Sequence, residues 1–93
     1  MSYCLVFTEQ YEKRARRFLK RHPDLKPNYL KTLRLIEANP FHPSLRMHRL
    51  SGSLEGLFSV SITLSYRITL EFLIQEREIV PVHIGDHETV YRG

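Results

Sequence analysis

The chain has 93 residues, which is enough for one domain with one modest core, and its 42% hydrophobic and 26% charged residues exclude a largely disordered protein. No apolar run approaches membrane-spanning length, and no basic stretch precedes an apolar run at the N-terminus, so we expect neither a membrane span nor a signal peptide. The one cysteine, Cys4, cannot form an internal disulfide, and its apolar neighbours predict a buried strand position. Together these features predict a cytoplasmic protein.

The net charge of +4 is unevenly distributed along the chain. Residues 1–50 hold 11 Lys and Arg against 4 Asp and Glu, a balance of +7, whereas residues 51–93 hold 3 against 6, a balance of −3. A basic surface on the first half would suit a polyanion, either a nucleic acid or an acidic protein segment. A solvated helix face would have the same composition, and the charge pattern leaves both interpretations open.

The predicted elements begin with a short strand at residues 3–7, after which Thr8 can cap a helix. Apolar residues then recur at helical spacing until Pro23 ends the helix near His22, and the opposite side is basic. The apolar residues are Tyr11, Ala15, Phe18 and Leu19; the basic ones are Lys13, Arg14, Arg16, Arg17, Lys20 and Arg21. A second helix is expected from about Pro27 to Asn39, with a stripe of Leu25, Tyr29, Leu33 and Ile36. The short connection predicts an antiparallel helical hairpin.

From Phe58 onward the apolar period changes from helical to alternating, which predicts strands at residues 58–65, 66–74 and 79–84, with a weaker strand at residues 45–50. In the last strand, Val80, Val82 and Ile84 are expected to alternate with Ile79, Pro81 and His83, and Pro81 must face away from a neighbour or lie at a bulge. Short turns between these strands predict an antiparallel meander. The expected fold is therefore α+β, in the order β-α-α-β-β-β(-β), with an antiparallel sheet packed on the helical hairpin.

The helix pair should cover the apolar face of this sheet. The other face would carry polar side chains: Ser59, Ser61, Thr63, Arg67, Thr69 and His83. Such a face can be ordinary solvent-exposed surface, or it can be the floor of a polar binding cleft. The sequence leaves these two alternatives open.

The order of elements, together with H-R-L-S-G-S-L-E-G-L-F-S-V-S-I (48–62), Y-R-I-T-L-E-F (66–72) and I-G-D-H-E-T-V-Y (84–91), resembles the RelE/ParE superfamily of toxins from bacterial type II toxin–antitoxin systems. The resemblance covers essentially all of residues 1–93, as a single domain, and is strongest over residues 48–91. The I-G-x-H-x-x-x-Y ending and the histidine before R-L-S-G are most similar to the YafQ branch. RelE-like members of the superfamily cleave messenger RNA, whereas ParE-like members inhibit DNA gyrase.

For an RNA-cleaving member, the resemblance implies a ribosome-associated endoribonuclease that needs no metal or other cofactor. The 2′-hydroxyl of the RNA attacks the adjacent phosphate, so a base, an acid and a group that holds the charged phosphorane are required. The resemblance assigns these roles to four residues: His87 as general acid or base, His48 as its partner, Arg67 as the phosphate ligand, and Tyr91 as an aromatic that stacks on a base or assists the leaving group. Their structural alternatives are a solvated loop histidine, a strand-surface histidine, an ion pair between Arg67 and Glu71, and an aromatic that pins the C-terminus.

Further basic residues are candidates for contact with the RNA backbone or the ribosome: Arg14, Arg16, Arg17, Lys20, Arg46, Arg49 and Arg92. The sequence also departs from the YafQ pattern, because Ser61 and Ser65 occupy positions where that branch has a histidine and an aspartate. Neither serine can act as an acid or base at neutral pH. The roles would have to be redistributed, for example to His83, or the RNase activity would be reduced or lost.

Two other functions remain open from the sequence. A ParE-like gyrase inhibitor would not need His87, and a toxin-fold protein could serve only to bind a partner. Every alternative implies a cognate antitoxin that places an extended or helical acidic-amphipathic segment on the helix pair, giving a toxin–antitoxin hetero-oligomer. Convergence of His42, His48, His83 and His87 on a metal is not expected, since no metal-binding spacing is present.

Overall fold

The computed structural model describes residues 3–86. These residues form two helices and five strands: β1 (Cys4–Leu5), α1 (Glu9–Arg21), α2 (Lys26–Ala38), β2 (His48–Arg49), β3 (Phe58–Ser61), β4 (Tyr66–Leu73) and β5 (Glu78–Asp86). The strands make one sheet in the order β1-β5-β4-β3-β2. The predicted α+β class and order of elements are therefore confirmed. Neither of the helices in this part of the chain is long and apolar enough to cross a membrane.

The helical hairpin forms where the sequence predicts it. Thr8 caps α1, since its hydroxyl accepts a hydrogen bond from the backbone N–H of Tyr11 at 3.1 Å. Pro23 begins a short 3₁₀ turn, residues 23–25, that leads directly into α2. The hydroxyls of Tyr11 and Tyr29 lie 3.1 Å apart and join the two helices inside the core, where burial raises the pKa of both tyrosines. The two helices therefore pack as one layer.

Strands β2 to β5 form the expected antiparallel meander, but β1 pairs in parallel with β5, through Cys4 opposite Glu78 and Leu5 opposite Ile79. The sheet is therefore mixed rather than wholly antiparallel. The prediction that Cys4 is buried is wrong, because β1 is a two-residue edge strand and this thiol is exposed. An apolar sequence neighbourhood does not bury a side chain at the end of a sheet.

A β-bulge shifts the register between β4 and β5. Thr69 pairs with His83 and Leu70 with Pro81, so Val82 is the extra residue. The expected alternation through β5 is wrong for this reason: Ile79 and Pro81 are buried in the core, as Ile84 is after the bulge. The alternative that Pro81 lies at a bulge is confirmed. The bulge leaves His83 paired with the polar residue Thr69.

The apolar face of the sheet packs on the helices through Val60, Ile68 and Leu70, which meet Phe18 and Ile36 in one buried cluster. The opposite face is not an ordinary solvated surface. Ser59 and Thr69 are 0% exposed and Ser61 is 7% exposed. Burying hydroxyls has a free-energy cost unless they are hydrogen-bonded, so this face needs a specific polar arrangement.

Candidate functional site

A row of four polar residues crosses the sheet from β2 to β5. His48 pairs with Ser59, Ser59 with Thr69, and Thr69 with His83. Directly paired residues in antiparallel strands lie on the same face, so the row has an imidazole at each end and two buried hydroxyls between them. At the usual spacing of strands, the two histidines are separated by roughly 14 Å along the row. They therefore belong to two different places on the molecule.

The β2 end of the row contains an arginine–histidine contact. Arg67 Nε donates a hydrogen bond to Ser59 Oγ at 2.7 Å, and Arg67 Nη2 donates to the carbonyl of Arg46 at 3.3 Å. The same Nη2 lies 3.2 Å from His48 Nε2. The guanidinium is thus fixed by a buried serine and a backbone oxygen, and it faces an imidazole.

This contact determines which tautomer of His48 the geometry favours. A guanidinium can only donate, so Nε2 of His48 must accept and carry no proton. The remaining ring proton then lies on Nδ1, which is 3.5 Å from the carbonyl of Arg49. Nε2 of this exposed imidazole can accept a proton from a substrate hydroxyl that displaces Arg67.

The structure gives Arg67 a different partner from the predicted alternative. The salt bridge among the described residues joins Arg16 to Glu12 on α1, and the hydrogen bonds of Arg67 go to Ser59, Arg46 and His48 rather than to Glu71. None of these three partners carries a negative charge in this tautomer. The positive charge of Arg67 is therefore retained for an anion.

Backbone geometry on the loops supports this arrangement. Arg46 has a φ of 49°, a left-handed conformation that is uncommon for a residue with a side chain, and its carbonyl accepts from Arg67. Residues 48–51, 53 and 54 and Arg67 line an open cleft, the His48–Arg67 cleft, in which Arg49 and two serines, Ser51 and Ser53, add polar groups. The cleft is a candidate site for a phosphate-containing substrate.

The β5 end of the row opens into a second cavity, the α1–β5 pocket. Its lining includes Arg14, Arg17 and Arg21 from α1, the rings of His22 and Tyr66, and His83 and Asp86 from β5. Arg14 Nη1 donates to the carbonyl of Val82, the bulge residue, at 2.8 Å. Burial, and then the nearby charge of Arg14, lower the pKa of His83. His83 lines this pocket and is not part of the lining of the His48–Arg67 cleft.

The two serines that depart from the YafQ pattern lie near the end of β3. Ser61 pairs with Arg67, and its buried Oγ has no hydrogen-bond partner among the residues that the structure describes. Ser65 lies in the exposed turn before β4, where its backbone N–H bonds to Thr63. Neither contributes an ionisable group, in agreement with the sequence analysis.

The structure brings together only some of the predicted site residues. His48 and Arg67 are in contact, and Arg46 and Arg49 are exposed beside them, whereas Arg14 is half-buried against β5 and Arg16 is paired with Glu12. Arg17 and Lys20 are exposed on α1. His87, Tyr91 and Arg92 lie outside the described residues, and their roles stay predictions. Within residues 3–86 no three metal-ligating side chains come together.

Sequence reasoning missed Ser59 as the residue that holds Arg67, and it missed the α1–β5 pocket. Strand alternation does place Ser59 and Arg67 on the same face, so their contact could have been found from the register. No comparable signal links Arg17 to Tyr66 or His83, because they are far apart in the chain and meet only when α1 packs beside β5.

Neither a protein-family model nor a curated protein matches the sequence. Several solved structures, in contrast, match the fold of this chain. YafQ from E. coli strain BL21(DE3) has a TM-score of 0.72 at 19% identity, over 96% of this chain and 98% of that chain. The E. coli DinJ-YafQ toxin–antitoxin complex gives 0.76 at 17% identity, over 98% and 99%. The toxin–antitoxin complex RelBE2 from Mycobacterium tuberculosis gives 0.62 at 18% identity, over 94% and 100%. This chain therefore has the fold of the RelE/ParE-like toxins over nearly its whole length.

Proposed function

We propose that this protein is the toxin of a type II toxin–antitoxin system and acts as a metal-independent endoribonuclease on messenger RNA at the ribosome. The observation that carries the proposal is the contact of 3.2 Å between Arg67 and His48 Nε2 in an open cleft, on a fold shared with YafQ and RelE-type structures. Two of those structures are toxin–antitoxin complexes.

The cleft residues match the needs of RNA cleavage by the 2′-hydroxyl. His48 Nε2 takes the proton of the 2′-hydroxyl, whose oxygen then bonds to phosphorus. Arg67 holds the phosphorane oxygens, for which its planar fork is suited. The bond from phosphorus to the 5′-oxygen breaks, and His87 supplies the proton that the leaving oxygen needs. The products are a 2′,3′-cyclic phosphate and a 5′-hydroxyl, so atoms and protons balance without a metal.

In this proposal two histidines transfer the protons, without the additional histidine and aspartate of the YafQ pattern. Ser61 and Ser65 cannot transfer protons at neutral pH, and His83 faces the α1–β5 pocket, so His48 and His87 are left as base and acid. Tyr91 would stack on a base next to the cleaved bond. Arg46 and Arg49, exposed at the cleft, and Arg92 would contact neighbouring phosphates.

The same proposal includes a contact with the ribosome. Arg16, Arg17 and Lys20 are exposed on α1 and would contact ribosomal RNA, so their replacement by glutamate should weaken co-sedimentation with ribosomes.

The proposal also includes an antitoxin. A shallow apolar groove lined by Phe7, Tyr11, Ala15, Leu19 and Tyr29 lies beside Arg16 and would receive an acidic-amphipathic antitoxin segment. Failure of this chain to co-purify with the product of a neighbouring reading frame would count against the antitoxin.

The testing experiment is inducible expression without antitoxin of the wild type, His48→Ala and His87→Ala, with growth measured and messenger 5′ ends mapped. His42→Ala is the matched control, because His42 is an exposed loop histidine whose ring, among the described residues, bonds to its near neighbour Ser44. We expect growth arrest and new, codon-phased 5′ ends in the wild type and the control, and loss of both in the other two variants. Arrest with intact messengers in all four would contradict the nuclease and indicate a binding activity such as gyrase inhibition.

A further inference from the structure

The α1–β5 pocket carries an excess of positive charge. Arg14, Arg17 and Arg21 lie on one side of α1 at helical spacing and contribute +3, and Asp86 contributes −1, so the lining carries +2 when its histidines are neutral. The hydrogen bond from Arg14 to the Val82 carbonyl fixes that guanidinium without neutralising it. The lowered pKa of His83, which burial and Arg14 cause, fits a positive field inside the pocket. An anion is the ligand that this field favours.

Flat rings form the wall next to these guanidiniums. His22 and Tyr66 have ring centroids 4.7 Å apart, and both pack on the buried Phe18, at 4.8 and 5.3 Å. His22 and Tyr66 are half-buried and line the pocket. Guanidinium groups next to such rings match the two parts of a nucleotide. A phosphate can bind the guanidiniums, and a base can stack on a ring. An acidic protein segment would use the charge but leave the rings without a partner.

We propose that the α1–β5 pocket is a second RNA-binding site, in which Arg17 and Arg21 bind a backbone phosphate and the adjacent base stacks on His22 and Tyr66. The proposal depends on the proposed function only in the choice of RNA as the ligand. The row from His48 to His83 separates this pocket from the His48–Arg67 cleft, so its RNA segment is not the one that is cut. Its chemistry requires single-stranded RNA, since the bases of a duplex are not free to stack on protein rings.

The experiment measures fluorescence anisotropy with a labelled single-stranded eight-nucleotide RNA that carries 2′-O-methyl groups. This RNA cannot be cleaved by its own 2′-oxygens, so the readout does not depend on catalysis. The double variant Arg17→Ala/Arg21→Ala is compared with Lys31→Ala/Arg34→Ala, which removes the same charge from exposed positions on α2, outside the pocket and outside the residues proposed to contact RNA or the ribosome. Circular dichroism melts confirm that all variants are folded.

We expect the pocket pair to weaken binding at least about ten-fold, the loss of a charge-assisted hydrogen bond, while the control pair changes it about two-fold or less. The slope of log affinity against log salt should fall by about 0.7 in the pocket pair for the one lost phosphate contact. An abasic oligonucleotide should bind the wild type at least about five-fold more weakly, and His22→Ala should remove that difference.

Equal losses in both double variants would overturn the proposal in favour of diffuse attraction between RNA and a basic protein surface. So would absence of RNA binding by the wild type at low salt, or equal affinity for the abasic and complete oligonucleotides. A pocket pair that keeps its RNA affinity but loses binding to poly-glutamate would assign the pocket to an acidic protein segment instead. Loss of messenger cleavage in cells with pocket-dependent RNA binding intact would contradict the proposed nuclease and leave the pocket standing.

Discussion

Each end of the polar row has an arginine close to a histidine, but the environments of the two histidines differ. At the β2 end, Arg67 is fixed by Ser59 and the Arg46 carbonyl and points at an exposed imidazole. At the β5 end, Arg14 is fixed by the Val82 carbonyl, and burial, followed by the charge of Arg14, lowers the pKa of His83. In both places a neutral backbone oxygen holds the arginine, so its charge is not cancelled. The difference lies in the histidine: His48 can reach a substrate proton, whereas the pKa of the half-buried His83 is lowered.

The largest expected effect is a loss of catalysis, and it comes from the β2 end of the polar row. Arg67→Ala should lower messenger cleavage by about 10²- to 10³-fold, because it removes the donor that faces the developing phosphorane charge. Arg67→Lys should recover little, since an ammonium cannot form the bidentate fork. Primer extension on messengers in a translation extract measures this, with Arg49→Ala as the control from the same cleft. Comparable losses from Arg49 and Arg67 would remove the special role of Arg67.

The buried serines give a matched pair of substitutions. Ser59→Ala should lower cleavage by about ten-fold, because Arg67 loses the hydrogen bond that fixes Nε. Ser61→Ala should raise the free energy of unfolding by about 1 kcal/mol, because it removes a buried hydroxyl with no described partner. Urea denaturation and primer extension on both variants test this contrast. A destabilising Ser61→Ala would mean that its hydroxyl has a partner after all.

His83, at the β5 end of the polar row, should affect how the free energy of unfolding depends on pH. The pKa of His83 is lower in the folded protein than its ordinary value of about 6.5, so the unfolded chain binds more protons as the pH falls below that value. The free energy of unfolding should therefore decrease on acidification from pH 7 to 5, and His83→Gln should flatten this decrease. Urea midpoints at several pH values measure it, with the exposed His42→Gln as control. Identical slopes in the wild type and His83→Gln would contradict the assignment.

The smallest expected effect concerns the loop beside the cleft. Arg46→Gly should raise the free energy of unfolding by up to about 1 kcal/mol, because glycine adopts the left-handed conformation without steric cost. Cleavage should fall by only about three-fold, because one exposed contact with a neighbouring phosphate is lost while the carbonyl that accepts from Arg67 is unchanged. A loss of cleavage as large as that of Arg67→Ala, at equal stability, would instead place the Arg46 side chain on the phosphate that is cleaved.

The sequence predicts the scaffold better than the sites. Alternation placed Ser59 and Arg67 on one face because a strand has a period of two, and Pro81 indicated a bulge because it lacks an N–H. The left-handed Arg46 and the α1–β5 pocket have no local signal, since both depend on tertiary packing. Cys4 was misassigned because composition says nothing about whether a strand is central or at an edge.

The bulge at Val82 also has a consequence for self-association. β1 covers β5 only at Glu78 and Ile79, so beyond that point the described part of the sheet has an uncovered border. An uncovered strand edge can pair with strands of other chains and so promote fibril growth. Here Pro81 offers no amide hydrogen, the bulge breaks the regular ladder, and Arg14 occupies the Val82 carbonyl. The same features that shape the pocket thus make this border a poor template for amyloid-like stacking.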